Sequence, residues 1–315
     1  MNKRKGGVIM RYIIGVDIGG TNIKIGVFEE DLMINKSVIE TPLEDEGSHI
    51  IPEICQVISE LCSADDIIAI GVAVPGPVIG DIVLGAHNIG WGEMDVVSKM
   101  KEYFPNQTIV VLNDANAATI GEASFDVEDR DVVMMTLGTG IGGGIIIEGE
   151  MVVGVNGSAG ELGHMKLYPF NGRKCSCGLD GCLEQYASAT GVVKTAIEFR
   201  EGKDTLLNKE DLTSKDIFDF AKAGDKVAIE VVDRYCYELA IGCANVANVI
   251  NPDLIILGGG VSKAGNFMLE KVQKNFSTLA FYSALGTRIK LAQLGNDAGM
   301  FGCYFYAKKA LKHAN

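Results

Sequence analysis

The chain has 315 residues, enough for two domains at about 150 residues each. Apolar residues make up 47% and charged residues 22%, an ordinary globular balance. With 28 Lys and Arg against 41 Asp and Glu the net charge is −13, which argues against a general nucleic-acid surface, because neutralising phosphates needs clustered cations. A small anion held by backbone N–H groups is not excluded, since that needs no side-chain charge.

The start of the chain imitates a signal peptide, with Lys3, Arg4 and Lys5 before an apolar stretch. Arg11 interrupts that stretch and Asp17 follows with no small-residue cleavage site, so a cytoplasmic chain is expected, with Met10 an alternative start. No run is clean enough to cross a membrane: residues 132–147 are broken by Thr136, Thr139 and five glycines. Residues 12–17 read as a strand, Gly19-Gly20-Thr21-Asn22 as a turn, and 23–27 as a second strand. Ile50, Ile54, Val57, Ile58 and Leu61 have helical spacing. A buried strand at 67–74 ends in Pro75-Gly76-Pro77; 94–103 reads as helix, 109–112 as strand and 115–124 as a helix of small residues.

The opening pattern then returns. Residues 132–137 are a strand, Gly138 to Gly144 a glycine turn and 145–147 the return strand. The repeat, about 120 residues on, points to internal duplication and two similar domains. A helix-rich stretch at 188–251 carries a charged surface connection at 203–215, a strand at 254–257 ends in Gly258-Gly259-Gly260, and a last helix covers 299–311. Strands alternating with helices argue α/β. The expected domains are 1–118, completed by a C-terminal helix at 302–315, and 119–301.

Each glycine turn offers backbone N–H groups to an anion, to which Thr21, Asn22 and Thr139 add side-chain donors. Asp17, at a strand end, suits a magnesium ion, and Lys24 lies close by in sequence. A tight hairpin needing glycine only for its backbone explains one such turn as well; two in equivalent contexts fit a polyphosphate better. Gly259 and Gly260 offer a place for a nucleotide base or make an ordinary strand–helix turn. Asn113-Asp114 reads as a helix N-cap, as a general base toward a hydroxyl, or as both. Glu161-Leu162-Gly163-His164 and the block from Cys175 to Glu184 bring His164, Cys175, Cys177 and Cys182 within 19 residues, a donor set for structural zinc. Glu161 and Glu184 flank it, and ionised carboxylates accept several hydrogen bonds from a polyol. The other five cysteines (Cys55, Cys62, Cys236, Cys243, Cys303) read as buried small hydrophobes, and His49, His87 and His313 as surface or packing residues.

From Asp17 to about Gly302 these motifs, in this order, resemble the ROK family of repressors, open reading frames and sugar kinases. The resemblance implies two similar actin/hexokinase-like (ribonuclease H-like) α/β domains around a central cleft, with a zinc-stapled loop at 164–184. It implies Asp114 as the catalytic base, with Asn113, Glu161, His164 and Glu184 on sugar hydroxyls, and, more loosely, Gly76 and Asn88 as further sugar contacts. It places Gly19, Gly20, Thr21, Gly138, Thr139 and Gly140 on the phosphates of ATP, Asp17 near Mg2+, and Gly259 and Gly260 by the adenosine. The expected reaction is phosphorylation of a hexose, with glucose to glucose 6-phosphate first and N-acetylmannosamine, N-acetylglucosamine, allose or fructose as alternative acceptors. A homodimer is expected, with no nucleic-acid or membrane partner. The other branch, a sugar-responsive repressor, is disfavoured because only about 11 residues precede the first strand, too few for a helix-turn-helix. A sugar-binding protein without catalysis is the third reading.

Overall fold

The computed structural model describes residues 11–124 and 130–313; the expectations about the first ten residues lie outside them. The first half of the chain forms β1 (Tyr12–Ile18), β2 (Asn22–Glu29), β3 (Leu32–Glu40), the single turn α1 (Glu44–Gly47), α2 (Ile50–Leu61) and β4 (Ile67–Val74). Three two-residue strands, β5 (Val78–Ile79), β6 (Ile82–Val83) and β7 (Met94–Asp95), make a small sheet of their own. They lead to α3 (Val96–Lys101), β8 (Thr108–Asn113) and α4 (Asp114–Ala123). The second half forms β9 (Val132–Leu137), β10 (Ile141–Ile147), β11 (Glu150–Met151), α5 (Glu184–Ala187), α6 (Ala189–Arg200), α7 (Ser214–Lys222) and α8 (Lys226–Ile250). It ends with β12 (Leu254–Gly258), α9 (Asn266–Leu279), β13 (Arg288–Leu291) and α10 (Ala298–His313).

The two larger sheets share one topology. Their orders are β3-β2-β1-β4-β8 and β11-β10-β9-β12-β13. In each, the first strand pairs antiparallel with the next strand and parallel with a later one. The repeat read from the glycine turns is therefore a repeat of fold, and the α/β class holds. Near-continuous apolar strands such as β1 follow from cover on both faces. Ile14, Val16 and Ile18 of β1 share a core with Ile50, Ile54 and Ile58 of α2. Ile13 joins the opposite core with Met300 and Tyr304 of α10.

A row of glycines seats α10. Gly26, Gly15 and Gly71 lie in register across β2, β1 and β4. A Cβ at Gly15 would stand 2.3 Å from the carbonyl oxygen of Met300, and one at Gly71 would stand 2.2 Å from that of Cys303. The helix backbone lies directly on the strand backbone there, a contact that any side chain would prevent. α4 meets α10 in the same way: a Cβ at Gly121 would stand 2.2 Å from the Ala298 oxygen, and one at Gly302 only 1.7 Å from that of Ala117.

These contacts change the expected boundaries. Among the described residues, 11–124, 153–158 and 296–313 form one compact unit, and 130–152 and 159–295 the other. The first unit does not stop at 118, because α4 continues unbroken to Ala123 against α10, and it takes the chain back at 296 rather than 302. The second glycine turn is also shorter than expected. It ends at Gly140, and Gly142, Gly143 and Gly144 are strand residues opposite Thr136, Met135 and Met134. A Cβ at Gly143 would meet the oxygens of Gly160 and Met134 at 2.8 Å, so glycine here admits the segment leading to Glu161. The helix expected at 94–103 is confined to α3, capped by Asp95, whose Oδ1 accepts from the Ser98 N–H at 2.8 Å. The connection at 203–215 is tied down: the Arg200 guanidinium donates to the oxygens of Leu207 and Lys209, and Asp225 accepts from Thr205 and Leu206. Burial pushes the Cys55, Cys236 and Cys243 thiols up to about 12, as packing residues, and Cys303 is buried with them while Cys62 is half-buried. His49 and His87 are exposed; the side chain of His313 lies outside the described residues. No helix among the described residues is long and apolar enough to cross a membrane.

Gly71→Ala is expected to cost about 2 kcal/mol, the range for overpacking a close contact, because the obstacle is helix backbone and not a movable side chain. Urea unfolding measures it, and a loss below about 0.5 kcal/mol would contradict the seating of α10.

Candidate active site

In the first unit the parallel strands β1, β4 and β8 present their carboxyl ends together, the edge where open α/β sheets bind ligands. The turn after β1 is closed by the Gly19 N–H donating to the Asn22 oxygen at 3.0 Å. Thr41 braces it, its hydroxyl donating to the Gly19 oxygen at 2.7 Å and its N–H to that of Thr21 at 2.9 Å. Gly20, Thr21 and Asn22 are left exposed, as an anion cradle requires. Asn88 is exposed too, its amide nitrogen 3.7 Å from where a Gly20 Cβ would stand. The Lys24 ammonium donates to Asp17 Oδ2 at 3.0 Å and to the Asn296 oxygen at 2.6 Å.

Asn113 ends β8 as the N-cap of α4. Its Oδ1 accepts from the N–H groups of Ala115 at 2.9 Å and Asn116 at 3.2 Å. Its Nδ2 donates to the Gly76 oxygen at 3.1 Å and to Asp114 Oδ1 at 3.0 Å. All four hydrogen-bonding positions of the amide are thus taken. The amide holds Asp114, and the sugar bond that the resemblance implies for Asn113 would replace one of these bonds. Gly76 meets Asp114 through the same amide. The Ala115 N–H also donates to Asp114 Oδ1, at 2.8 Å, so the bonds among the described residues fall on one carboxylate oxygen and leave Oδ2 for a proton. Burial raises Asp114 above the usual carboxylate range, and the negative charge of Asp17 pushes the same way; Ala115 and Asn113 oppose both.

In the second unit, six expected residues line one cavity of about 380 Å³: Gly138, Gly140, Glu161, His164, Glu184 and Gly259. The turn is anchored to the start of α6, where the Ala189 N–H donates to the Gly138 oxygen at 2.8 Å and the Thr190 hydroxyl to the Thr139 oxygen at 2.7 Å. Thr139 is exposed beside it. A Cβ at Gly140 would stand 2.5 Å from Glu184 Oε2, so this glycine makes room for the carboxylate. Glu184 Oε1 accepts from Cys175 Sγ at 3.0 Å and Gln185 Nε2 at 3.1 Å. Gly260 lines a neighbouring cavity of about 160 Å³ with Phe218, Lys222, Val261, Lys263 and Ala264. Sequence reasoning missed this cavity apart from Gly260. Its apolar floor comes from α7, whose helical spacing reads the same for a core as for a pocket.

One donor atom from each of His164, Cys175, Cys177 and Cys182 lies within 4.8 Å of the others. Zinc–sulfur bonds of about 2.3 Å in a tetrahedron set ligands about 3.8 Å apart. Cys177 Sγ and Cys182 Sγ are 3.7 Å apart, and His164 Nδ1 is 3.7 Å from Cys175 Sγ, so the donor set fits zinc. The other ring nitrogen, Nε2, stands 3.9 Å from Glu161 Oε2. Burial pushes the Cys175 thiol up to about 11, while the Leu179 backbone holds Cys177 below its ordinary value.

A model of the ROK family matches residues 13–310. The chain belongs to the ROK family. It is 39% identical over 309 residues to a glucokinase of Halalkalibacterium halodurans, covering 93% of each chain. A solved ROK family glucokinase from Streptomyces griseus, in complex with glucose and AMPPNP, is 34% identical with a TM-score of 0.75, covering 95% of this chain and 99% of that one. The xylose repressor of Bacillus subtilis is 32% identical over 241 residues, 75% of this chain and 60% of the repressor. The likeness to the Streptomyces griseus structure extends over both α/β units of this ROK chain, in line with the hexokinase-like fold expected from the motifs.

In this ROK chain Asp17→Asn is expected to lower the Asp114 pKa, because it removes a neighbouring negative charge and leaves the burial unchanged. Carboxyl carbon NMR titration reads the shift; an unchanged Asp114 titration would show that burial alone sets it.

Proposed function

We propose that this chain is an ATP-dependent hexose kinase that transfers the γ-phosphoryl group to a hexose hydroxyl, with glucose to glucose 6-phosphate as the leading assignment. One observation carries the reading. A single cavity sets two carboxylates and an imidazole, which suit polyol hydroxyls, against a glycine turn that suits phosphate. A hydroxyl acceptor and a phosphate donor side by side are what phosphoryl transfer requires, since its catalysis is mostly positioning and charge stabilisation. The likeness to two glucokinases supports glucose among the acceptors; N-acetylmannosamine, N-acetylglucosamine, allose and fructose are the alternatives.

In this reading Asp114 Oδ2 takes the proton of the acceptor hydroxyl while Asn113 and the Ala115 N–H hold Oδ1 in place. Asn113, Glu161, His164 and Glu184 bind sugar hydroxyls, with Gly76 and Asn88 as further contacts. The turns at Gly19, Gly20 and Thr21 and at Gly138, Thr139 and Gly140 present N–H groups to phosphate oxygens. Gly259, Gly260 and the apolar cavity beside them receive the adenosine. Asp17 is the carboxylate that would hold magnesium, which supplies charge neutralisation on the phosphates when bound. His164, Cys175, Cys177 and Cys182 would hold zinc, which supplies a rigid staple. The similarity to a xylose repressor favours one second reading, a sugar-binding regulator without catalysis.

ADP release with ATP and magnesium across hexoses, aminosugars and ketohexoses tests the proposal. Saturable turnover on one sugar is the expected result; sugar binding without turnover on any would leave the regulator. Asp114→Asn is expected to fold and retain zinc yet lose about 10²- to 10⁴-fold in kcat, the range for a general base. Retained turnover would remove Asp114 from the mechanism. Cys177→Ser is expected to lower zinc content by about tenfold or more and to weaken sugar binding with it. Atomic emission measures the metal, and unchanged content would rule out the four-ligand site.

A further inference from the structure

Outside the cavities, one buried carboxylate is held by a half-buried tyrosine and an exposed arginine, none of which has a role in binding. Glu238, on the core helix α8, is 2% exposed. Its Oε1 accepts from the Tyr168 hydroxyl at 3.0 Å and from Arg234 Nε at 2.7 Å, and Arg234 also donates to the Tyr168 hydroxyl. Its Oε2 is buried with no hydrogen-bond partner among the described residues. Burying a carboxylate this way is costly, and a packed apolar side chain would serve the helix as well or better. Helix packing therefore does not explain Glu238.

Tyr168 lies between His164 and Cys175 in the chain and reaches two parts of the site. Its N–H donates to the Gly181 oxygen at 3.1 Å, and a Cβ at Gly181 would stand 1.6 Å from the Tyr168 oxygen, so its backbone lies against the residue before Cys182. Its ring meets that of Tyr186 edge-on at 4.7 Å between centroids. Tyr186 belongs to α5, the short helix that begins with Glu184.

We propose that Tyr168 and Glu238 are positioning residues, a strut from α8 that fixes Glu184 toward sugar and Cys182 toward metal; this rests on the sugar and zinc roles given to those residues above. A helix of four residues cannot hold Glu184 by its own hydrogen bonds. The strut supplies the rigidity from the core of the unit, and Arg234 balances the buried charge.

Tyr168→Phe keeps the ring and removes the tether. It is expected to raise the hexose KM about tenfold with kcat changed less than about twofold, and to speed zinc transfer to a chromophoric chelator about tenfold, as loss of a supporting hydrogen bond does elsewhere. Glu238→Leu should reproduce both effects, and Glu238→Gln, which keeps an acceptor for the hydroxyl, should restore most of the KM. A drop in thermal midpoint with KM and chelator rate unchanged would make the cluster merely structural and overturn the proposal. If Glu238→Leu does not fold, Tyr168→Phe decides alone. If the unaltered chain phosphorylates no hexose, the kinase reading falls and the chelator rate decides the strut: a faster rate in Tyr168→Phe supports it, an equal rate overturns it.

Discussion

The first unit depends on backbone touching backbone. With side chains at Gly15 and Gly71, α10 would stand off the sheet, and Met300 and Tyr304 would lose their core. The same helix carries Gly302 against α4, whose first residue is Asp114. The Asp114 carboxylate is thereby referred to the sheet twice, through β8 that leads into it and through α10 that backs its helix. A chain segment from the far end of the sequence thus finishes a unit begun at the start.

At the head of α4 opposing electrostatic effects compete. A helix N-terminus favours a charged carboxylate by roughly 0.3–1 kcal/mol, and the bonds from Ala115 and Asn113 add to that. Burial and the nearby Asp17 act the other way and prevail, since Asp114 lies above its ordinary value. A carboxylate so placed holds a proton better than a free aspartate. The Asn113 amide contributes to this arrangement through its bonds to Gly76, Asp114 and the start of α4.

The second unit repeats the sheet and builds a different surface on it. Its glycine turn is tied to α6, its strand glycines admit the segment before Glu161, and a cysteine-rich knuckle delivers His164 and Glu184 to the same cavity. Four donors at zinc spacing would, with a metal bound, give that knuckle a rigidity that its short helices lack. One fold thus presents an oriented carboxylate in one copy and a cavity lined by carboxylates, an imidazole and a glycine turn in the other.

What was legible in the sequence is what lies close along the chain. Asn113 and Asp114 are adjacent, the zinc donors fall within 19 residues, and each glycine turn is a few residues long, so spacing alone limits their geometry. Strand and helix periodicity placed β1, β4, β9, α2 and α10, whose burial is one-sided or complete. β3 was not read, since it is an edge strand with Leu32, Ile34 and Val38 exposed. Only the tertiary structure decided why Gly15, Gly71, Gly121 and Gly302 are glycine, where the second turn stops, that the Asn113 amide joins Gly76 to Asp114, and that Tyr168 meets Glu238 across 70 residues. A glycine records that something comes close but not what, and a buried carboxylate records a cost but not its partner. Both become definite only when distant segments are brought together.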